Sequence, residues 1–428
     1  MIINKKVVFE FVLPYAVTIV LLLNNYHLTA QVAGCTDPFA NNYNAAANNN
    51  NGSCTYTPTS YIPPVKTDSL SEILIESSGL QMVNGDLWTF NDRNAGAIIY
   101  KIDSLSKTIL QTVYLSGATN IDWEDIAFDG THIYIGDFGN NLNGARTDLK
   151  IYKIAVSSIP PHTTNDIVYI PANEIEVINF KYADQPQPPA TEILNHSRYD
   201  CEAMLVDNGQ IHLFTKNWLD FNSTHYIINS TNAGSYTLNP VETLATNYLV
   251  TAADKAINQD IIAVLGYQNS GAGNHFIYLL SNYGNGLFFN GNKRKIDLPN
   301  ATIMGQSEGI TFRDDSTGYI SNEKFIYSYA GFSFTVKQKL RAFNIGPLVS
   351  NFSTNYVFTG NGNWSEAFNW KNNLLPPAVL PANSQIIIDP ALNGECIADI
   401  SYTVTTGKKL IVLPNKKLTI KGNLIILQ

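Results

Sequence analysis

Asn120-Ile121-Asp122-Trp123-Glu124-Asp125-Ile126-Ala127, followed by His132-Ile133-Tyr134-Ile135 and Gly136-Asp137-Phe138-Gly139-Asn140-Asn141, is the stretch that decides the fold. Two short runs rich in β-branched and aromatic residues flank Asp129-Gly130, a strong hairpin signal. Four weaker copies recur along the chain. Their first strands carry Glu76-Ser77-Ser78-Gly79-Leu80, Cys201-Glu202-Ala203-Met204, Ala252-Ala253-Asp254 and Ser307-Glu308-Gly309-Ile310. Their second strands end in Phe90-Asn91-Asp92, Thr215-Lys216-Asn217, Gly266-Tyr267-Gln268-Asn269 and Ser321-Asn322-Glu323. Third strands are expected at 98–102, 150–154, 226–228, 276–280 and 325–329, and looser fourth strands at 109–115, 175–180 and 340–345.

Four antiparallel strands repeated in this way are the signature of a β-propeller, whose sheets bury their faces only against one another. The expected fold is therefore all-β, with a propeller over 69–347. The direct count is five blades, or six if 160–197 holds a degenerate one; Pro186, Pro188 and Pro189 argue for a loop there. Charged residues make up only 14% of the chain against roughly 25% in ordinary soluble domains, so Asn, Ser, Thr and Gln supply the polar surface. Net charge is -8 and no basic block is present, which excludes the phosphate-neutralising stripe that nucleic-acid binding needs.

The ends differ from the centre. Lys5 and Lys6 precede an apolar run over 11–23, and Leu28-Thr29-Ala30 offers small-residue cleavage chemistry. Residues 1–30 therefore read as a signal peptide, and the run is short of the ~20 residues that span a bilayer. A membrane role is expected only through this segment if it is retained. The mature chain is expected to be secreted or at the cell surface, where disulfides persist. Residues 57–68, with Pro58, Pro63 and Pro64, read as an extended spacer. After Gly346-Pro347, the runs at 402–404, 410–412, 418–420 and 424–426 suggest a C-terminal β module over 356–428, a short β-helix or a small sandwich.

A first-strand carboxylate in nearly every blade would set Glu76, Glu124, Glu202, Asp254 and Glu308 around one axis, with Asn91, Asp92, Asp125, Asp137, Lys216 and Glu323 beside them. Two charges about 4 Å apart repel by roughly 4 kcal/mol at an effective dielectric near 20. Such a ring needs a cation, protons or basic partners. Calcium suits it as cofactor, because carboxylate and amide oxygens are its ligands; Lys216, Arg146 and Lys324 are the candidate basic partners. In the alternative reading, each acid accepts backbone hydrogen bonds from the next blade and only fixes blade spacing.

Two resemblances bear on this. Gly34-Cys35-Thr36-Asp37, Ala40, Asn42-Tyr43, Ala47 and Gly52-Ser53-Cys54 resemble a short repeat common in secreted bacterial proteins. It implies a small module over 34–56 stapled by a Cys35–Cys54 bridge, worth about 3 kcal/mol of unfolded-chain constraint. Asn48 to Asn51 stand where relatives carry acids, which favours the staple over a calcium loop. Ser-Gly-Leu, Trp-Glu-Asp-Ile-Ala, Gly-Asp-Phe-Gly-Asn-Asn and Ser-Glu-Gly-Ile resemble the esterase-like phytase or phytase-like β-propeller group of secreted bacterial proteins. That resemblance implies acidic channel residues and calcium.

Phosphoester hydrolysis would also want several Lys, Arg or His residues facing the phosphate, and few stand near these motifs. No Cys-x-x-Cys and no zinc-type histidine spacing occurs. Cys201 reads as a buried hydrophobe, and Trp88, Trp123 and Trp218 as blade-packing aromatics. Three functions follow: a surface binding protein with a calcium-bearing mouth and an unnamed ligand, a calcium-dependent phosphoester or ester hydrolase, or a structural adhesin or envelope component.

Overall fold

In the computed structural model, the inner strands of five sheets, antiparallel except at three outer edges, form a closed ring, each against the next and the fifth against the first. Residues 7–11, 17–21, 31–93, 95–142, 144–163, 166–186, 193–349, 355–371, 375–376, 380, 385–405 and 408–427 are described. Most of the expected signal peptide lies outside them. Within it, Val7–Phe11 and Val17–Leu21 pair as antiparallel strands.

Blade one comprises Ser77–Val83, Asp86–Asn91, Ile98–Ile102 and Ile109–Leu115 from the axis outward. Blade two comprises Trp123–Phe128, His132–Asp137, Lys150–Ala155 and Ile175–Tyr182. Blade three comprises Cys201–Asp207, Gln210–Thr215, Ser223–Ile228 and Pro240–Leu244. Blade four comprises Leu249–Lys255, Ile261–Tyr267, Asn274–Ser281 and Asn292–Asn300. Blade five comprises Gln306–Phe312, Thr317–Glu323 and Leu340–Asn344, closed by Val65–Thr67 from the far end of the chain.

Two expectations are corrected here. Phe325–Tyr329 is not a blade strand: it pairs only with Phe332–Val336, as a hairpin inserted between the second and third strands of blade five. The supposed spacer at 57–68 is part of the propeller. Thr59–Ser60 runs parallel to the outer strand of blade four, and Val65–Thr67 completes blade five. Prolines are tolerated on such outer edges because a ladder donor is not needed on the open side. The six-blade option fails because Ile167–Ile170 joins the outer edge of blade one in parallel, while Ile175–Tyr182 is the outer strand of blade two.

Apolar burial is concentrated between blades. Trp88, Phe90 and Trp123 fill the space between blades one and two, Phe138, Met204 and Tyr226 that between two and three, and Phe214, Phe276 and Phe288 that between three and four. Phe312 and Phe343 join four to five, and Leu80 and Leu340 join five to one. This leaves the axis to polar side chains.

The Cys35–Cys54 disulfide is present, and its module docks on blade four. The Asn50 side chain donates to Asn282 O (3.0 Å) and Asn292 Oδ1 (2.9 Å), and Asn282 donates to Thr36 Oγ1 (2.7 Å). Asn50, one of the four asparagines at 48–51, is thus part of its dock. The C-terminal module is a β-helix: Asn355–Phe358, Gln385–Ile388 and Lys409–Val412 form one parallel ladder. Gly362–Asn363, Cys396–Ala398 and Leu418–Ile420 form a second, and Tyr402–Val404 and Leu424–Ile426 a third. Its interior is built on Phe358, Trp364, Trp370 and Ile386.

Candidate functional site

Every inner strand carries a β-bulge at the same place, between Ser77 and Leu80, Trp123 and Asp125, Cys201 and Ala203, Val250 and Ala252, and Ser307 and Gly309. A bulge re-aims a side chain. The bulges put Ser78, Glu124, Glu202, Thr251 and Glu308 in register. The expected ring is thereby corrected at two positions. Glu76 lies two residues before the bulge and is exposed, and Asp254 lies three residues after it on blade four. The matching positions in those blades are hydroxyls that tie neighbours together: Ser78 Oγ donates to Glu124 O and Thr251 Oγ1 to Ser307 O, both at 2.8 Å.

The same register defines two companion rings. Two residues before the bulge stand Glu76, Asp122, Asp200, Leu249 and Gln306, so Asp-x-Glu occurs in blades two and three. At or just past the facing end of the second strand stand Asp92, Phe138, Lys216, Tyr267 and Glu323. Blade four contributes no acid to any ring. The site is lopsided.

On the side of blades one and two, Asp92, Asp122 and Glu124 each place a carboxylate oxygen within 4.8 Å of the other two. Asp122 and Glu124 are 4% and 5% exposed. They lie against Gly139, where a Cβ would fall 2.1 Å from Glu124 Oε1, so the Gly-Asp-Phe-Gly stretch has a glycine for want of space. Asp122 Oδ1 is buried without a hydrogen-bond partner. A nearby cation, Arg93, keeps Nε 3.9 Å from that oxygen and 3.3 Å from Asp92 Oδ2. Arg146 binds Asp137 Oδ1 at 2.9 Å, while Asp137 Oδ2 is buried without a hydrogen-bond partner.

On the side of blades three to five, a lysine fills the position of a cation. Lys216 Nζ lies 3.1 Å from Glu202 Oε2 and sits over the rings of Trp218 and Tyr267. Glu308 Oε1 accepts from Gln306 Nε2 (2.8 Å) and the Tyr267 hydroxyl (3.4 Å). Asp200 accepts from Trp218 Nε1 at 2.7 Å. Glu202 Oε1, Glu308 Oε2 and Asn91 Oδ1 are buried without a hydrogen-bond partner. Glu323 is half-buried at the rim, and Lys324 is exposed.

Burial, then Asp92 and Asp200, pushes Asp122 up to about 7. Burial followed by Glu202 raises Glu124 well above the usual carboxylate range. Burial is also the first cause of the upward shifts at Asp200, Glu202, Glu308 and Glu323. Burial alone would lower the Lys216 ammonium, yet Glu202 and Glu308 raise it well above its ordinary value.

Asp125 and Asp254 behave differently. Asp125 accepts from Ile126 N (2.9 Å), Met204 N (2.7 Å) and Ala253 N (3.4 Å), tying blades two, three and four. Asp254 accepts from Phe312 N (2.7 Å), Thr311 Oγ1 (3.0 Å) and Lys255 N (2.8 Å), tying four to five. Neither faces the cluster. The opposite mouth has a cavity of about 840 Å³ between hairpin tips, lined by Asp86, Asp129, Asp207, Lys255, Arg313 and, from the C-terminal module, Lys371. There Lys255 is held by Asp207 (2.7 Å) and Asp260 (3.0 Å).

No protein-family model and no curated protein matches the chain. Among solved structures, it is similar to the PQQ-bound aldose sugar dehydrogenase of Streptomyces coelicolor, at 10% identity and a TM-score of 0.37, over 66% of this chain and 97% of that one. It is similar to a putative 6-phosphogluconolactonase of Bacteroides uniformis at 11% identity and a TM-score of 0.30, over 68% and 75% of the two chains. A bifunctional GH43-CE protein of Bacteroides eggerthii matches at 8% identity and a TM-score of 0.35, over 67% of this chain and 37% of that one. Among the described residues, no helix is long and apolar enough to cross a membrane.

Proposed function

We propose that this is an exported binding protein whose acidic propeller mouth holds a calcium ion at Asp92, Asp122 and Glu124 and presents it to a ligand. One observation carries the reading: three carboxylates converge within 4.8 Å, and a buried Asp122 oxygen among them has no hydrogen-bond donor. At that spacing, each charged pair costs about 3 kcal/mol at an effective dielectric near 20. Glu202 and Glu308 have Lys216 as a built-in cation. The cluster in blades one and two has Arg93 only at its edge.

The donors are all oxygen, which suits a hard cation, and an irregular set of carboxylates suits the flexible shell of calcium better than the strict octahedron of magnesium. Asp92, at 13% exposure, marks the side from which a ligand would complete that shell. Export draws support from the disulfide and from the leader-like first thirty residues. Thermal unfolding with added calcium tests the cation site. A rise of several degrees in the parent protein, absent in Glu124→Gln and Asp122→Asn, is expected; no rise in the parent would overturn it.

A calcium-dependent phosphoester or ester hydrolase is the second reading, favoured by Arg93 beside the cluster. Lys216 supports it less, being 4% exposed and bound to Glu202. Release of phosphate from phytate or simple phosphate esters, dependent on calcium and lost in Glu124→Gln, would favour it over binding alone.

A further inference from the structure

The inserted hairpin Phe325–Tyr329/Phe332–Val336 adds nothing to the ring, since blade five is complete without it. It starts two residues after Glu323 and therefore rises from the rim of the acidic mouth. Its tight turn at Ala330-Gly331, with φ of 49° and 83°, sets the register Phe325↔Val336, Tyr327↔Phe334. Directly paired residues share a face, so Phe325, Tyr327, Phe334 and Phe332 lie on one side. The Phe325 and Tyr327 rings are nearly parallel, 13° between planes. Phe332 and Phe334 are 82% and 51% exposed, a cost that a soluble protein rarely bears without use.

At the foot of this face is a cleft of about 90 Å³, room for a sugar's hydroxyl groups and not for its ring, lined by Phe325, Tyr267, Gln268, Asn269, Ser270 and Gln306. We infer that the aromatic face of the hairpin and the amide-lined cleft below it form a binding site for a neutral polysaccharide of pyranose sugars. Flat rings stack on the C–H faces of a pyranose, and amides and hydroxyls pair with its equatorial hydroxyls; a protein partner would need a broader apolar surface. The neighbouring acids, Glu323 and Glu308 among them, disfavour both polyanionic glycans and anionic bilayers. This site does not need the calcium ion.

Affinity electrophoresis through gels containing mixed-linkage β-glucan, xylan or galactomannan tests it. Retardation in at least one gel is expected, released by soluble oligosaccharides of that polymer. In the Phe332→Ala/Phe334→Ala double variant, affinity is expected to fall at least tenfold, with an unchanged melting temperature as the control for folding. Retardation that survives EDTA and Glu124→Gln keeps this inference apart from the cation reading. No retardation in all three gels, or equal retardation of the double variant, overturns it. So does co-sedimentation with phosphatidylcholine vesicles in place of retardation, lost in the same variant.

Discussion

Glu124 and Asp125 are neighbours on one inner strand, both carboxylates and both buried, yet their oxygens meet opposite surroundings. Asp125 is surrounded by backbone N–H groups from three blades, whereas Glu124 faces other carboxylates. The bulge causes the difference. It turns Glu124 toward the axis and leaves Asp125 in the plane where blades touch. A buried acid that is saturated by donors holds the fold together, and one left short of donors stores repulsion that a cation can release. The expectation that one role would cover all the repeated acids is thus replaced by two roles one residue apart.

The largest effect should come from the saturated set. Asp125→Ala leaves donors of blades two, three and four without an acceptor, at about 1–3 kcal/mol for a buried group. A loss of about 3 kcal/mol or more in urea-unfolding free energy is expected. A loss below about 1 kcal/mol would mean that Asp125 does not join the blades. Calcium should come next. At a hundredfold excess over its dissociation constant, it should stabilise the parent by about 2.7 kcal/mol and leave Glu124→Gln unaffected.

The pH dependence follows in size. Asp122 titrates near 7 in the fold against an ordinary 3.8, so the folded state holds the extra proton. Without calcium, stability should therefore fall as pH rises from about 4 to 7, and Asp122→Asn should flatten that slope. The buried His212–His225 pair, joined at 2.9 Å within blade three and packed on Phe288, gives the opposite sign. Burial, then His225, pushes His212 down to about 3, and burial lowers His225. Their neutral forms favour folding above the ordinary value of 6.5, and that contribution is lost as pH falls below it. The His212→Gln variant should shrink this acid limb and leave the Asp122 slope in place. An unchanged profile in both variants would detach the pH response from the two clusters.

Fold and site were legible to different depths. The repeated strand pairs and the Asp129-Gly130 turn made five blades legible because each blade obeys a local two-residue period. The closing strand Val65–Thr67 was not legible: three residues paired across the whole chain carry no local pattern, and the prolines before them read as a spacer. Phe325–Tyr329 looked like a blade strand because its alternation is sound, while its partner is a matter of topology. Among the acids, Glu124, Glu202 and Glu308 were visible, but the bulge register was not. Ser78 and Thr251 were therefore missed in favour of Glu76 and Asp254. Asp122 and Asp200 were missed although the repeated Asp-x-Glu signals them.

The smallest predicted effect tests how the two halves of the mouth differ. Lys216 is locked to Glu202 and serves as a permanent cation, whereas Arg93, with its side chain 39% exposed, stands 3.9 Å from the oxygen that calcium would take. Arg93→Gln removes a positive charge beside a positive ion. At that exposure, the interaction is worth about 0.5–1 kcal/mol. Calcium should therefore bind a few-fold more tightly to the variant in isothermal titration, with folding stability nearly unchanged. In the hydrolase reading, the same guanidinium would hold the substrate oxyanion, so the variant should gain calcium affinity while losing substrate affinity. If calcium binding weakens instead, Arg93 orients Asp92 and Asp122 for the ion, and the two halves of the mouth would share one design: carboxylates set in place by a basic side chain.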